Sequence, residues 1–134
     1  MLTQSTPVHR GPRRAIRAGS LIGCCAAWCL AAAAPPAGDA AHGKILYQAC
    51  NACHSIDEND LGPKHRGVVG RRAGSIEDYA YSAALKQSGL TWDEAMLDRW
   101  LSNPSALVPG TKMFFKIDDA QSRADIIAYL KEQK

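Results

Sequence analysis

From residue 39 onward, apolar positions recur every three to four residues, which is the period of amphipathic helices. The alternation of apolar and polar residues that is typical of half-buried β-strands is not convincing anywhere in the chain. This pattern predicts a small all-α single domain of about four helices. Two segments, 55–77 and 103–117, lack a regular period and are predicted to be irregular loops.

The predicted helices have recognisable residues at their ends. Asp39 is predicted to cap the first helix, and Gly89 to stop the second. Thr91 and Glu94 have the spacing of a capping box, which predicts that the third helix begins there. The predicted ranges, in chain order, are 39–49, 81–88, 91–102 and from 118 or 119 to near the C-terminus.

Three of these helices have an identifiable buried face. On the first, Gly43, Tyr47 and Cys50 share one side at helical spacing. The predicted buried faces of the third and fourth helices consist of Trp92, Met96, Leu97, Trp100 and Leu101, and of Ala120, Ala124, Ile127 and Leu130, respectively.

Residues 1–38 have the charge and hydropathy pattern of a secretory signal peptide, and residues 39–134 form the predicted domain. Four arginines precede an apolar run from Leu21 to Ala34, which is followed by prolines and small residues. The run is shorter than the roughly 17 to 25 residues that span a bilayer. We therefore expect export to the periplasm, cleavage between Ala32 and Ala40, and no stable membrane insertion.

Two other export routes stay open at this point. Cys24 follows a sequence that resembles a lipoprotein processing box, although the apolar run continues beyond it. The Arg13-Arg14 pair is compatible with twin-arginine export.

Removal of the signal peptide changes the charge and the cysteine count. The whole chain has 16 basic and 13 acidic residues and a net charge of +3. Loss of the four N-terminal arginines leaves 12 basic residues against 13 acidic ones, close to neutrality. A nucleic-acid-binding function therefore has no electrostatic support. The cysteines that remain after cleavage are Cys50 and Cys53.

The sequence Cys50-Asn51-Ala52-Cys53-His54 has the C-x-x-C-H spacing of covalent haem attachment. Two thiols three residues apart on a helical turn can reach the two vinyl groups of one porphyrin edge, and the next histidine can bind the iron. A structural zinc site needs four ligands, and a thioredoxin-like pair needs a βαβ context. We therefore predict one haem c per chain, held by Cys50 and Cys53, with His54 as an iron ligand. The haem would also supply part of the core of a domain this small.

The second axial position decides whether the haem carries electrons or binds small molecules. Two methionines follow the signal peptide. Met96 lies on the apolar face of the third helix, where a core residue is expected. Met113 lies instead in a loop that contains Pro109 and Gly110, a backbone suited to holding a thioether rigidly.

Nearly the whole region from residue 43 to residue 131 resembles class I c-type cytochromes, close to the bacterial periplasmic relatives of mitochondrial cytochrome c. The motifs that carry the resemblance are C-x-x-C-H, Gly62-Pro63, Gly67 to Arg71, Asn103-Pro104, and Pro109 to Met113. The resemblance implies a cytochrome c fold with long loops around one haem, and Met113 as the distal iron ligand. It also implies that the Pro63 carbonyl orients His54, that Arg71, Tyr81 and Trp92 hydrogen-bond the haem propionates, and that the first and last helices cross at Gly43.

Three positions depart from the pattern of the family. His65 stands where a leucine usually contacts the haem on the proximal side. Trp100 replaces a tyrosine that commonly donates to the methionine sulfur, and Leu85 replaces an asparagine of the distal water network. We expect these changes to affect the reduction potential of the haem but not the assignment to class I c-type cytochromes.

The resemblance implies a soluble, monomeric, non-enzymatic electron carrier that exchanges electrons with redox proteins. These would be respiratory or photosynthetic membrane complexes or a periplasmic dehydrogenase. The alternatives are a haem peroxidase or ligand sensor with an open distal site, ligation by two histidines through His65 or His42, and a signalling module that uses haem structurally. A basic rim around the haem edge is predicted from Lys64, Arg66, Lys86, Lys112 and Lys116.

Overall fold

A computed structural model describes residues 36–134, and the signal-peptide prediction for residues 1–35 lies outside that range. The described chain contains five α-helices, one 3-10 helix and a single isolated antiparallel bridge, so the all-α prediction is confirmed. No helix in this part of the chain is long and apolar enough to cross a membrane. The elements are α1 (Ala40–Leu46), the 3-10 helix (Tyr47–Ala52), α2 (Ala83–Gln87), α3 (Glu94–Ser102), α4 (Pro104–Leu107) and α5 (Ala120–Glu132).

The first helix is shorter than predicted because its last turns tighten into a 3-10 helix. Asp39 caps α1 as predicted, and its carboxylate accepts hydrogen bonds from the backbone amides of Ala41 and His42. The change of helix type begins at Tyr47 and carries the chain to Cys53. Short 3-10 segments are common at the C-terminal ends of α-helices.

The N-cap of the third helix lies two residues later than predicted, at Asp93 and not at Thr91. The Asp93 carboxylate accepts a hydrogen bond of 2.7 Å from the amide of Met96. Thr91 is held in the isolated bridge with Arg72, which keeps it out of the helix. Glu94 then lies in the first turn, where its charge interacts favourably with the helix dipole.

Helix α4 lies within a segment that was predicted to be irregular, so that prediction was wrong for residues 104–107. Asn103 ends α3 and also caps α4, where its side chain accepts a hydrogen bond of 3.1 Å from the amide of Ala106. Pro104 occupies the first turn, a position where its missing N–H costs nothing.

Helices α1 and α5 cross at Gly43, as the resemblance implied. A Cβ atom added to Gly43 would lie 1.9 Å from the carbonyl oxygen of Asp125. Tyr47 and Tyr129 cover the crossing, with ring centroids 5.2 Å apart. The buried face of α5 is displaced from the predicted one: Ile126, Ile127 and Leu130 are buried, whereas Ala120 is exposed.

The Asp125 side chain, which is 2% exposed, links α5 to the start of α1. Its carboxylate accepts hydrogen bonds of 2.8 Å from the Asp39 amide, 2.7 Å from His42 Nδ1 and 2.8 Å from Gln121 Nε2. These donors, the Asp39 amide first, lower the pKa of Asp125 to about 2. The buried carboxylate is thereby stabilised in its charged form.

This network predicts a defined acid sensitivity. A carboxyl group whose pKa is depressed in the folded state stabilises the fold above its unfolded pKa of about 3.9 and loses that contribution as the pH falls toward the folded value. Between pH ~4 and ~2, the free energy of unfolding should therefore decrease more steeply for the parent protein than for Asp125→Asn. Denaturant unfolding at several pH values measures this difference. The exposed Asp118→Asn is the control and should retain the parent's slope.

The remaining buried residues surround the central part of the molecule. Leu97, Trp100 and Leu101 form the inward face of α3, and Met96 packs beside them only partly buried. Trp92 is buried as predicted but precedes the helix. The loop that follows the C-x-x-C-H motif contributes Val68 to the same core. The inward faces of α3 and α5 and this loop enclose a cavity.

Candidate haem-binding site

The cavity has a volume of about 530 Å³, within the range of cofactor sites. Its walls come from the 3-10 helix, the loops around residues 61–71 and 79–82, α3, α5 and the segment 111–115. The structure brings all of the sequence-predicted site residues together here: Cys50, Cys53, His54, Pro63, Arg71, Tyr81, Trp92 and Met113.

The two thiols lie on one tight turn at the edge of the cavity. The amides of Cys53 and His54 both bond to the carbonyl oxygen of Cys50, at 3.0 and 2.9 Å. Cys50 is partly buried, Cys53 is exposed, and neither forms a disulfide within residues 36–134. Burial, with a smaller contribution from Cys53, raises the pKa of the Cys50 thiol to about 11. The turn therefore presents two free thiols at the spacing that covalent haem attachment requires.

The His54 ring is held in one orientation by its neighbours. Its Nδ1 lies 2.8 Å from the carbonyl oxygen of Pro63, so the proton is on Nδ1 and Nε2 keeps its lone pair. A Cβ atom on Gly62 would lie 2.2 Å from His54 Cε1, so only glycine fits against the ring. Burial lowers the pKa of His54, and the Pro63 hydrogen bond opposes that effect. A neutral, oriented imidazole is the form that ligates a metal.

The sulfur of Met113 has a defined donor. The indole Nε1–H of Trp100 donates a hydrogen bond to Met113 Sδ at 3.1 Å, which is the contact that a tyrosine commonly makes in the family. The Trp100 ring also packs on Trp92, with centroids 5.1 Å apart, and is therefore fixed from a second side. Leu85, the other departure on this side, is buried and lines the cavity.

Arg71 brings a partly buried cation to a mostly apolar cavity. Its guanidinium donates to the carbonyl oxygens of Lys64 and Arg66, at 2.8 and 2.9 Å. No carboxylate forms an ion pair with it among the described residues. Burial lowers the pKa of Arg71 and raises that of the neighbouring Tyr81. A partly buried cation without a counter-charge fits the carboxylates of a haem better than it fits an apolar ligand.

The two histidines considered as alternative iron ligands are engaged elsewhere. His42 Nδ1 pairs with Asp125 at the α1–α5 crossing, and His42 does not line the cavity. His65 stacks on His54, with ring centroids 4.1 Å apart and an angle of 21° between the planes. A ring stacked on His54 lies on the same side of the cavity as His54, so His65 is not placed to bind a metal from the opposite side.

Sequence reasoning missed the partner of His65. The Tyr47 hydroxyl lies 2.8 Å from His65 Nδ1. The two residues are 18 positions apart, on the 3-10 helix and in a loop, so no local motif indicates the pair. Burial, the neighbouring His54 and Arg71 lower the pKa of His65 to about 3. His65 is therefore a neutral imidazole.

The surface near the cavity mouth is less basic and more apolar than predicted. Arg66 pairs with Asp57, and Lys116 pairs with Asp118, so carboxylates offset two of the five predicted rim cations. Leu61, Phe114 and Phe115 line the cavity and are also exposed. These apolar residues lie outside every motif and predicted helix face of the sequence.

The family model of cytochrome c matches residues 40–134. The chain belongs to the cytochrome c family. It is 44% identical over 118 residues to cytochrome c2 of Rhodomicrobium vannielii, with 85% of this chain and 93% of that one covered. It is also 44% identical over 109 residues to cytochrome c2 of Blastochloris viridis, covering 77% and 86%. Among solved structures, cytochrome cH from Methylobacterium extorquens has 52% sequence identity and a TM-score of 0.69, with 71% of this chain and 99% of that one covered.

Family membership and the residues of the cavity indicate the same cofactor, haem c, and the same activity, electron transfer. The protein binds one covalently attached haem c and transfers single electrons. The apolar walls, the paired thiols, the neutral His54 and the uncompensated Arg71 all fit that group. The comparisons favour this function over the peroxidase or sensor alternative.

Proposed function

We propose that this cytochrome shuttles electrons in the periplasm through a low-spin haem whose iron ligands are His54 and Met113. Cys50 and Cys53 would hold the haem through thioether bonds. One observation carries the proposal: an imidazole anchored by Pro63 and a thioether anchored by Trp100 line the same cavity as the two thiols.

The protein residues set how easily the electron moves. When bound, haem c supplies an iron that changes its charge by one unit. Pro63 and Gly62 hold His54, and Trp100 holds Met113, so the same two ligands are presented in both oxidation states. A thioether is a weak donor to Fe(III), and apolar walls disfavour the added positive charge; both raise the reduction potential.

Arg71, Tyr81 and Trp92 are proposed to bind the haem propionates. The support is the partly buried guanidinium of Arg71, which has hydrogen bonds to neutral carbonyls and no carboxylate partner among residues 36–134. Tyr81 lies close enough to Arg71 for the cation to influence its pKa, and Trp92 is buried on the same cavity. Together they would offer one cation and two neutral donors to the acid groups.

The Trp100–Met113 hydrogen bond predicts a change in potential. A donor to the sulfur withdraws electron density from the ligand and disfavours Fe(III), so Trp100→Phe should lower the midpoint potential. A hydrogen bond contributes ~0.5–1.5 kcal/mol, which limits the decrease to about 60 mV for one electron. Redox titration measures it. Trp100→Tyr restores a donor and should recover most of the loss; equal potentials for the Phe and Tyr variants would contradict the assignment.

The proposed partners are redox proteins with an apolar docking face. Leu61 and Phe114 are 76% and 79% exposed at the mouth of the cavity, where an electron would leave. Exposed apolar groups of this size are typical of interaction surfaces. Respiratory or photosynthetic complexes and a periplasmic dehydrogenase remain candidates, and the cytochrome is proposed to act as a monomer. Because two protein ligands would fill both axial positions, we propose no enzymatic activity.

The proposed location and partners are tested together in the source organism. We expect the purified holoprotein to come from the periplasm with a new N-terminus between residues 32 and 40. Deletion of the gene should abolish one electron flux among oxidase, photosynthetic and dehydrogenase activities. Complementation with the parent gene should restore that flux, whereas Cys53→Ser should not. A cytoplasmic holoprotein with an uncleaved N-terminus, or intact fluxes after deletion, would contradict the proposal.

A further inference from the structure

We propose that Tyr47 and His65 form a polar support for His54, which fixes the plane of its imidazole and lowers the reduction potential. This inference rests on the proposed role of His54 as an iron ligand. His65 and Tyr47 would act on the iron through His54, so they are positioning residues. The family resemblance assigns no such role, since it places a leucine at position 65.

Two contacts at different angles hold the His54 ring. The Pro63 carbonyl accepts its Nδ1–H in the ring plane at 2.8 Å, and the His65 ring covers its face at a centroid distance of 4.1 Å. The 21° angle between the imidazoles makes this contact a stacked one. Rotation of His54 about its Cβ–Cγ bond would lose both contacts at once. The orientation of the ring is therefore set more firmly than the hydrogen bond alone would set it.

The direction of the Tyr47–His65 hydrogen bond follows from burial. Tyr47 is 2% exposed, and its ring packs on His65 and on Tyr129. Its hydroxyl has no other hydrogen-bond partner in the described part of the chain. If the Tyr47 oxygen accepted a hydrogen bond from His65 Nδ1–H, the tyrosine's own hydroxyl hydrogen would be left unpaired in the interior, at a cost of ~1–3 kcal/mol. Tyr47 therefore donates to Nδ1, and His65 carries its proton on Nε2.

An imidazole in this position affects oxidation differently from a leucine. Oxidation adds positive charge to the iron and, through the bond, to His54. The electron-rich face of a neutral His65 stabilises that charge, whereas an aliphatic side chain of similar size does not. The Tyr47 hydrogen bond keeps the face of His65 parallel to His54. Loss of either side chain's polar group should therefore raise the potential.

The experiment compares holoprotein variants by redox titration and by paramagnetic resonance of the oxidised form. We expect His65→Leu to change the equilibrium constant for reduction at least threefold in favour of the reduced form, ~28 mV at 59 mV per factor of ten. Tyr47→Phe should shift the potential in the same direction by less. The double variant should match His65→Leu, because the hydroxyl acts only through the imidazole. Both substitutions should also change the g-anisotropy of the ferric signal as the His54 plane is released.

Tyr129→Phe is the matched control. It removes a hydroxyl from the ring that packs on Tyr47, with centroids 5.2 Å apart, and keeps both the Tyr47 hydroxyl and the His65 ring. Its potential and ferric spectrum should equal those of the parent. If Tyr47→Phe and His65→Leu change stability but leave potential and spectrum at the parent's values, the pair is only structural and the inference is overturned. If His65→Leu does not fold, the potential and ferric spectrum of Tyr47→Phe alone still decide between the two outcomes.

Failure of this inference is distinguishable from failure of the proposed function. The parent protein reports on the ligands directly: a His/Met low-spin signal and a sulfur-to-iron charge-transfer band confirm them. Unshifted variants in a parent that shows those signals overturn the support role alone. A parent without them contradicts the proposed ligands, and with them the basis of this inference.

Discussion

Substitution of Met113 by alanine is expected to open the iron to small ligands and to lower the reduction potential. The thioether is the proposed distal ligand, and it favours Fe(II) because it donates weakly to Fe(III). Its replacement by water or hydroxide should lower the midpoint potential by on the order of 100 mV or more, within the roughly 0.8 V that axial ligation covers. The reduced variant should also bind carbon monoxide readily. Redox titration and optical titration with carbon monoxide measure the two effects.

Met96→Ala is the control for this substitution. Met96 packs partly buried against the core from α3 and does not line the cavity. Its truncation should cost stability, ~2–5 kcal/mol at most for a fully buried methionine, and leave the potential and the closed iron site unchanged. If Met113→Ala behaved like Met96→Ala, Met113 would be a packing residue and the ligand assignment would be wrong.

Substitution of Gly43 by alanine is expected to destabilise the fold strongly. On helix propensity alone, alanine for glycine would stabilise α1 by about 1 kcal/mol. The added Cβ would lie 1.9 Å from the Asp125 carbonyl oxygen, and backbone atoms of α5 cannot move aside as a flexible side chain can. Overpacking of this kind costs ~1–3 kcal/mol or more, so the net effect should be a loss of stability. Guanidinium chloride unfolding of the holoprotein measures it.

The neighbouring Lys44→Ala is the control for helix propensity. Lys44 is exposed on the same helix, so its replacement should change the free energy of unfolding by less than about 0.5 kcal/mol. A Gly43→Ala variant as stable as the parent would show that α1 and α5 do not cross at the distance described above.

The parts of the site that could be predicted from the sequence rest on short-range spacing. Cys50, Cys53 and His54 lie within one turn, and the Met113 loop is shaped by its own proline and glycine. The crossing at Gly43 was implied by the family resemblance, because close helix packing demands a glycine there. The haem-attachment residues and the Met113 loop are thus each contained in one short motif, whereas the helix crossing depended on the resemblance.

The parts that could not be predicted depend on contacts between distant segments. The bridge between Arg72 and Thr91 displaces the start of α3, although Thr91 and Glu94 have suitable spacing for a capping box. The Tyr47–His65 pair needs the path of an irregular loop, which no periodicity describes. Helix α4 is the exception, since the Asn103-Pro104 pair is itself a local capping signal.

The charge of the chain illustrates how composition can mislead. The net charge of +3 depends on arginines within residues 1–38, which the proposed cleavage would remove. Carboxylates pair with Arg66 and Lys116, and exposed phenylalanines line the cavity. Partner binding should therefore depend on apolar contact as well as on charge.

The central claim is that His54 and Met113 together close the iron site, and the near-infrared to red absorption of the oxidised native protein tests it most directly. The account predicts a sulfur-to-iron charge-transfer band, because Met113 would be bound to Fe(III) while Trp100 holds its sulfur. Absence of that band in the folded, oxidised holoprotein would contradict the claim and favour an open or differently ligated iron.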